Sequence, residues 1–207
     1  MERLTQGYKK FLNEAFPARR DHFHLLSDQQ APQYLFITCS DSRVLPDLIF
    51  QTEPGDLFIT RNAGNIIPAA GVGSDGCTAT IEYAVEVLKV RFAIVCGHSD
   101  CGAMKAALNI EGLQNLPKAS RWLRHVENAF SYRPPLNPAD GDSAELTALI
   151  RGNVVAQLEN LKAQPSVARA LDAGSLSVLG LYYDILTGHI ERYDEHERKF
   201  SPFLKSE

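Results

Sequence analysis

Short runs of apolar, β-preferring residues recur along this chain, separated by longer stretches with helical periodicity, and that alternation constrains the fold more than any other feature. Tyr34-Leu35-Phe36-Ile37-Thr38-Cys39, Leu57-Phe58-Ile59-Thr60, Phe92-Ala93-Ile94-Val95-Cys96 and residues 175–183 read as strands. Residues 78–88 carry Ile81, Ala84, Val85 and Leu88 at helical spacing, and Ala103 onward, 144–161 and 166–173 read as further helices. Thr187-Gly188 makes a tight turn into His189-Ile190-Glu191-Arg192-Tyr193, read as an antiparallel edge strand. The expected fold is α/β: a mainly parallel central sheet flanked by helices, with an antiparallel edge strand near the C-terminus. Ligand sites in such sheets lie beyond the carboxyl ends of the strands.

A length of 207 residues suits one domain over 1–207. Hydrophobic residues at 44% and charged residues at 22% are ordinary for a globular protein. The net charge of -4 argues against a nucleic-acid-binding face, which needs clustered Lys and Arg. No apolar run approaches the roughly 20 residues that span a bilayer, so no membrane partner is expected. The first residues, Met1-Glu2-Arg3-Leu4-Thr5, lack the layout of a signal peptide, and a cytoplasmic location is expected. In a reducing cytosol, Cys39, Cys77, Cys96 and Cys101 are core residues or metal ligands rather than disulfides.

Residues 1–30 form a helical N-terminal arm in this reading. Leu4, Tyr8, Phe11, Leu12 and Ala15 fall on one helix face, and Pro17 is expected to end the helix. That stripe suits packing on its own domain. Residues 62–76 are glycine-rich and read as a loop.

Two polar loops carry the chemistry. Cys39-x-Asp41 ends one strand, and His98-x-x-Cys101 follows another. If those strands are neighbours, two thiolates, one imidazole and one carboxylate come together, a complete ligand set for one zinc ion. Each half alone is weak, since a lone cysteine at a strand end is usually a small buried hydrophobe. The two halves at equivalent strand ends make the metal reading the stronger one. Cys77, at a helix start, and Cys96, inside an apolar strand, are read as packing residues.

Cys39-Ser40-Asp41-Ser42-Arg43 and Gly97-His98-Ser99-Asp100-Cys101-Gly102 resemble the two signature motifs of the β-class carbonic anhydrases. Arg61-Asn62-Ala63-Gly64-Asn65 resembles the segment between those motifs, and Ile81-Glu82-Tyr83-Ala84 the helix before the second. The resemblance runs from about Tyr8 to Tyr193 with order and spacing kept. It implies one zinc ion per chain on Cys39, His98 and Cys101. The fourth position would alternate between water and Asp41, with Arg43 holding Asp41 off the metal. The implied reaction is reversible hydration of carbon dioxide to bicarbonate and a proton by attack of zinc-bound hydroxide. Two thiolates donate more electron density than neutral imidazoles, so activity is expected to favour alkaline pH.

By the same resemblance, Gln30, Phe58, Ala63 and Tyr83 contact substrate, and the Gly102 backbone approaches it. A homodimer or homotetramer is implied, with the N-terminal helix reaching over a neighbour. Some members carry an inhibitory bicarbonate pocket built on a tryptophan, an arginine and a tyrosine. Arg61 and Tyr183 stand at two of those positions, but Phe36 stands at the third, which places this chain with the plant-like, open-site branch. Three other readings remain: hydrolysis of carbon disulfide or carbonyl sulfide at the same metal, a closed structural zinc site, and a thiol redox protein. Arg43 argues against the second, and the lack of a Cys-x-x-Cys pair against the third. His22, His24, His125, His189 and His196 are candidate proton shuttles.

Overall fold

The computed structural model describes residues 1–72 and 75–204, so residues 73 and 74 of the glycine-rich stretch lie outside the described residues. Six strands form one sheet: β1 (Tyr34–Cys39), β2 (Leu57–Asn62), β3 (Phe92–His98), β4 (Ser177–Tyr183), β5 (Ile190–Asp194) and β6 (Lys199–Pro202). Their order is β2-β1-β3-β4-β5-β6. The first four strands of that order run parallel, and β5 and β6 are added antiparallel.

Helical crossovers make the parallel arrangement possible. Pro46–Phe50 joins β1 to β2, and Gly76–Glu86 joins β2 to β3. Asp75 caps the second of these helices, accepting from the Cys77 and Thr78 backbone N–H groups at 2.7 and 3.0 Å. Thr78 Oγ1 accepts in return from the Asp75 N–H, completing a capping box. Helices Gly102–Leu108, Pro117–Leu123, Ala144–Lys162 and Pro165–Asp172 lie between β3 and β4.

The main core lies between one sheet face and the helices. Leu35, Ile37, Ala93 and Val95 from the strands pack with Ile81, Ala84, Val154, Leu158 and Leu161. Two glycines let Ala144–Lys162 approach closely. A Cβ on Gly97 would come 2.8 Å from Val154, and one on Gly180 would come 2.6 Å from Leu158. The opposite sheet face carries a smaller cluster of Phe36, Cys96 and Leu181, fringed by Phe50, Ile59 and Ile94. A largely apolar groove of about 370 Å³ is open on that side.

Two local expectations change. Pro17 does not end the first helix: after Glu2–Lys10 the chain takes a wider π-type turn over Phe11–Ala15 and continues through Phe16–Ala18. Pro17 then sits in the first turn of that last segment, where its missing N–H costs little. The break falls at Arg19, and Arg20–Leu26 follows. At the C-terminal end, β5 is covered by β6, so the antiparallel part of the sheet has two strands and β6 forms its edge. The β6 segment Lys-Phe-Ser-Pro has no apolar run to announce it, and its proline suits an edge. No helix is long and apolar enough to cross a membrane among the described residues.

Candidate metal centre

Cys39 is the last residue of β1 and His98 the last of the adjacent β3. A short loop then turns back, with Asp100 at a φ of 59°, and delivers Cys101 at the start of helix Gly102–Leu108. The Cys39 Sγ, Cys101 Sγ and an imidazole nitrogen of His98 lie within 4.8 Å of one another, and all three residues are buried. The two sulfurs are 3.9 Å apart.

The chemistry of this set fits a divalent cation. His98 Nδ1 lies 2.9 Å from the Ser99 carbonyl oxygen, which favours the tautomer with the proton on Nδ1. Nε2 is then left with a lone pair, is buried, and has no hydrogen-bond partner among the described residues. A buried orphan of this kind is costly unless something accepts the lone pair. Without a cation the two sulfurs, 3.9 Å apart, shift each other's acidity in opposite directions. The hydrogen bond from Cys101 pulls Cys39 down, helped by His98 and by the Gly64 and Asp41 backbone, while the same contact and burial push Cys101 up. A divalent cation relieves that conflict by letting both cysteines be thiolates, and with a neutral imidazole the set balances its charge. Cys77 and Cys96 stand apart from the cluster as buried thiols, pushed up by desolvation to about 11 and about 12.

Asp41 stands beside the three-residue cluster, not within it. Its carboxylate accepts from Arg43 Nε at 2.9 Å and Nη2 at 2.8 Å, and from the Arg43 backbone N–H at 3.0 Å. Those bonds hold its carboxyl well below the usual range. Asp41 Oδ2 is 4.0 Å from His98 Nε2, next to the cluster but too far for a hydrogen bond. Arg61 fixes the same loop from below, donating to the Cys39 carbonyl at 3.0 Å and the Asp41 carbonyl at 2.7 Å.

Several groups around the centre were not singled out by the sequence reading. Asp100 accepts from Arg43 Nη1 at 2.9 Å and is ion-paired with Lys105, so Arg43 spans two carboxylates. Gly64, at a φ of +88°, donates its N–H to Cys39 Sγ at 3.3 Å. Trp122 Nε1 donates to the Ala63 carbonyl at 2.9 Å. On helix Ala144–Lys162, the fully buried Asn153 donates to the Gly64 carbonyl, and Gln157 accepts from the Ile67 N–H. Buried amides are expensive unless bonded, and here both are spent on the loop that carries Ala63 and Gly64. Asn153 and Gln157 stand four residues apart, a visible polar stripe on an otherwise buried helix.

The remaining candidates divide. Ala63 lies beside Gly64 at the centre, and Gly102 follows Cys101 with open space where a Cβ would stand. Phe58 and Tyr83 lie together, ring centroids 6.1 Å apart. Phe58 pairs with Leu35, four residues before Cys39, which puts it about 13 Å back along the sheet at roughly 3.3 Å per residue. Gln30 precedes β1, at that same far end. Of the histidines, His22 is tied to the Pro54 carbonyl at 2.7 Å and His125 packs edge-on against Trp122. Phe36 is buried, and Tyr183 ends β4.

Comparison with known proteins identifies the family. The family model described as carbonic anhydrase matches residues 34–190. A carbonic anhydrase of Pseudomonas aeruginosa is 48% identical over 200 residues, covering 97% of this chain and 90% of that protein. Among solved structures, the β-carbonic anhydrase CcaA superposes with a TM-score of 0.90 at 40% identity, covering 99% of this chain and 92% of that one. One of two tetrameric β-carbonic anhydrases from Sordaria macrospora superposes with a TM-score of 0.72 at 32% identity, covering 91% and 96%. With a matched family model, relatives of this similarity and a shared fold, the chain belongs to the carbonic anhydrase family, in its β class, and is an enzyme of that family.

Proposed function

We propose that the chain catalyses reversible hydration of carbon dioxide to bicarbonate and a proton, with one zinc ion held by Cys39, His98 and Cys101. The observation that carries this reading is the buried Nε2 of His98, without a hydrogen-bond partner among the described residues, beside two sulfurs 3.9 Å apart. Zinc, when bound, supplies the Lewis acidity that lets water act as a nucleophile near neutral pH. Three protein ligands leave the open position a catalytic site needs.

Asp41, kept ionised by Arg43, is placed to accept a hydrogen bond from the nucleophile and aim its lone pair at the substrate. Arg43 also withholds that carboxylate from the ligand cluster, and Asp100, itself ion-paired with Lys105, holds Arg43 in place. Arg61 fixes the loop backbone. The open space at Gly102 leaves its backbone accessible to a small substrate.

Gln30, Phe58 and Tyr83 would serve the centre of a second copy, since their own centre lies at the other end of β1 and β2. Two features support such a homo-oligomer, a dimer or tetramer. The arm over residues 1–30 leaves Leu4, Tyr8 and Leu12 exposed, and the sheet face opposite the main core carries the apolar groove around Phe36 and Phe92. The arm of one copy over the groove of another would bury both. This reading keeps 1–207 as one domain. Four free cysteines suit the cytoplasm. Phe36 in place of an indole supports the open-site branch without an inhibitory bicarbonate pocket.

The test is the initial rate of carbon dioxide hydration by zinc-loaded protein, with carbonyl sulfide and carbon disulfide offered in parallel. Hydration well above the uncatalysed rate is expected; turnover of the sulfur compounds alone would contradict the reading.

A further inference from the structure

We propose that Trp122 is a positioning residue for the metal centre, acting through the peptide group between Ala63 and Gly64. The inference rests on the metal reading above. It follows from one peptide unit with bonds at both ends: its carbonyl oxygen accepts from Trp122 Nε1 at 2.9 Å, and its N–H donates to Cys39 Sγ at 3.3 Å. Hydrogen bonds arranged in series through a peptide polarise one another, so the indole donor makes the Gly64 N–H a stronger donor to sulfur. The same bond fixes the rotation of the peptide plane and hence the aim of that N–H.

The surrounding loop is held on its other side by Asn153, which donates to the Gly64 carbonyl at 2.9 Å. A Cβ at Gly64 would come 2.9 Å from Met104, so the backbone lies tight against the helix that follows Cys101. Asn153 is fully buried and its loss would disturb the core, whereas Trp122 is half-buried on the short helix Pro117–Leu123. Trp122 is therefore the partner whose contribution can be removed with less disturbance of the core than that of Asn153. An N–H bonded to a ligating thiolate draws electron density from it, and partners of this kind tune the metal they do not touch. Without the indole donor, Cys39 becomes the more electron-rich sulfur.

The experiment uses the full chain with cobalt(II) in place of zinc, because thiolate-to-cobalt charge transfer reads the sulfur directly. Trp122→Phe keeps a ring and removes the donor. Trp122→Gln removes the ring but carries an N–H the same number of bonds from Cβ as the indole nitrogen. The charge-transfer band is expected to move to lower energy in Trp122→Phe and to return towards the parent position in Trp122→Gln. The alkaline midpoint of the zinc enzyme's rate should rise and recover in parallel. A folded, cobalt-loaded Trp122→Phe with the parent's band would overturn the inference, as would a Trp122→Gln that behaves like Trp122→Phe. A second measurement needs no variant. The chain has one tryptophan and so gives one indole N–H resonance, which should shift when zinc is added to metal-free protein. A resonance unmoved by zinc would also overturn the inference. A parent protein that takes up cobalt with no thiolate band would instead defeat the underlying metal reading.

Discussion

Arg43 grips Asp41 with two side-chain hydrogen bonds, at 2.9 and 2.8 Å, and so holds a carboxylate 4.0 Å from the imidazole nitrogen of His98 without letting it join the cluster. A planar guanidinium matches both oxygens of a carboxylate, which a lysine would not do. The pair lies within one short loop, and its second anchor, Asp100, lies within the other. The loops that follow Cys39 and His98 are thereby locked together by charge as well as by the sheet.

Asp41→Asn should keep the metal and lose most of the hydration rate. The amide has almost the same shape but is a poorer acceptor and no longer pairs with Arg43 as a charge. A loss of about 100-fold or more is expected, in kcat as well as kcat/KM, because orienting the nucleophile acts on the chemical step. A variant that turns over like the parent would remove Asp41 from the account.

The Arg43 hydrogen bonds lower the folded-state pKa of Asp41 below its unfolded value. Its contribution to stability is therefore fully present above the unfolded value of about 4, and is lost as pH falls through the folded pKa. Asp41 then stays ionised at neutral and alkaline pH. In metal-free protein, the stability difference between parent and Arg43→Met, measured by urea unfolding, should be constant down to about pH 5 and shrink below about pH 4. A difference that grows on acidification would contradict this sign.

Phe58 pairs with Leu35 at the end of the sheet away from Cys39, with Tyr83 beside it, and subunit mixing tests where they act. Cys101→Ser and Phe58→Ala proteins, each weak alone, are unfolded together and refolded as mixed oligomers. If Phe58 serves the neighbour's centre, some mixed sites combine an intact metal set with an intact Phe58, and activity recovers. If each chain serves itself, no mixed site is intact and the mixture stays as inactive as its parts.

Bicarbonate should inhibit only as a product. Phe36 is buried with its ring edge-on to Phe50 at 5.5 Å and offers no N–H to an anion. Arg61 is already committed to the backbone of Cys39 and Asp41. A desolvated anion short of one donor is penalised by roughly 1–3 kcal/mol, about ten-fold or more in affinity. Hydration rates at fixed pH and ionic strength should fall gently as bicarbonate rises. A steep, cooperative loss would show that an inhibitory site exists.

Much of this was legible in the chain itself, for identifiable reasons. The two central strands, β1 and β3, are short, largely buried and rich in β-branched and aromatic residues, so residues 34–39 and 92–96 announce themselves. Cys39, His98 and Cys101 are adjacent to those runs, and once the strands are neighbours their meeting follows. β6 was illegible because an edge strand ending in proline has no periodicity to find. Asp100 stood inside a quoted motif, but its role depends on a left-handed turn that aims it at Arg43. Trp122, Asn153 and Gln157 reach the centre from 59 or more residues away in sequence, through backbone atoms that carry no residue-specific signal. Phe58 and Tyr83 belong to this site by resemblance; the register of β1 with β2 puts Phe58 at the other end of the sheet, and Tyr83 on its helix lies against it.

The most direct test of the central claim measures metal content and carbon dioxide hydration on the same preparations of parent and Cys101→Ser protein, before and after chelation and zinc return. The account predicts one zinc per parent chain, hydration that disappears on chelation and returns with zinc, and neither metal nor activity in Cys101→Ser. Full hydration by metal-free parent, or full zinc content in Cys101→Ser, would contradict it.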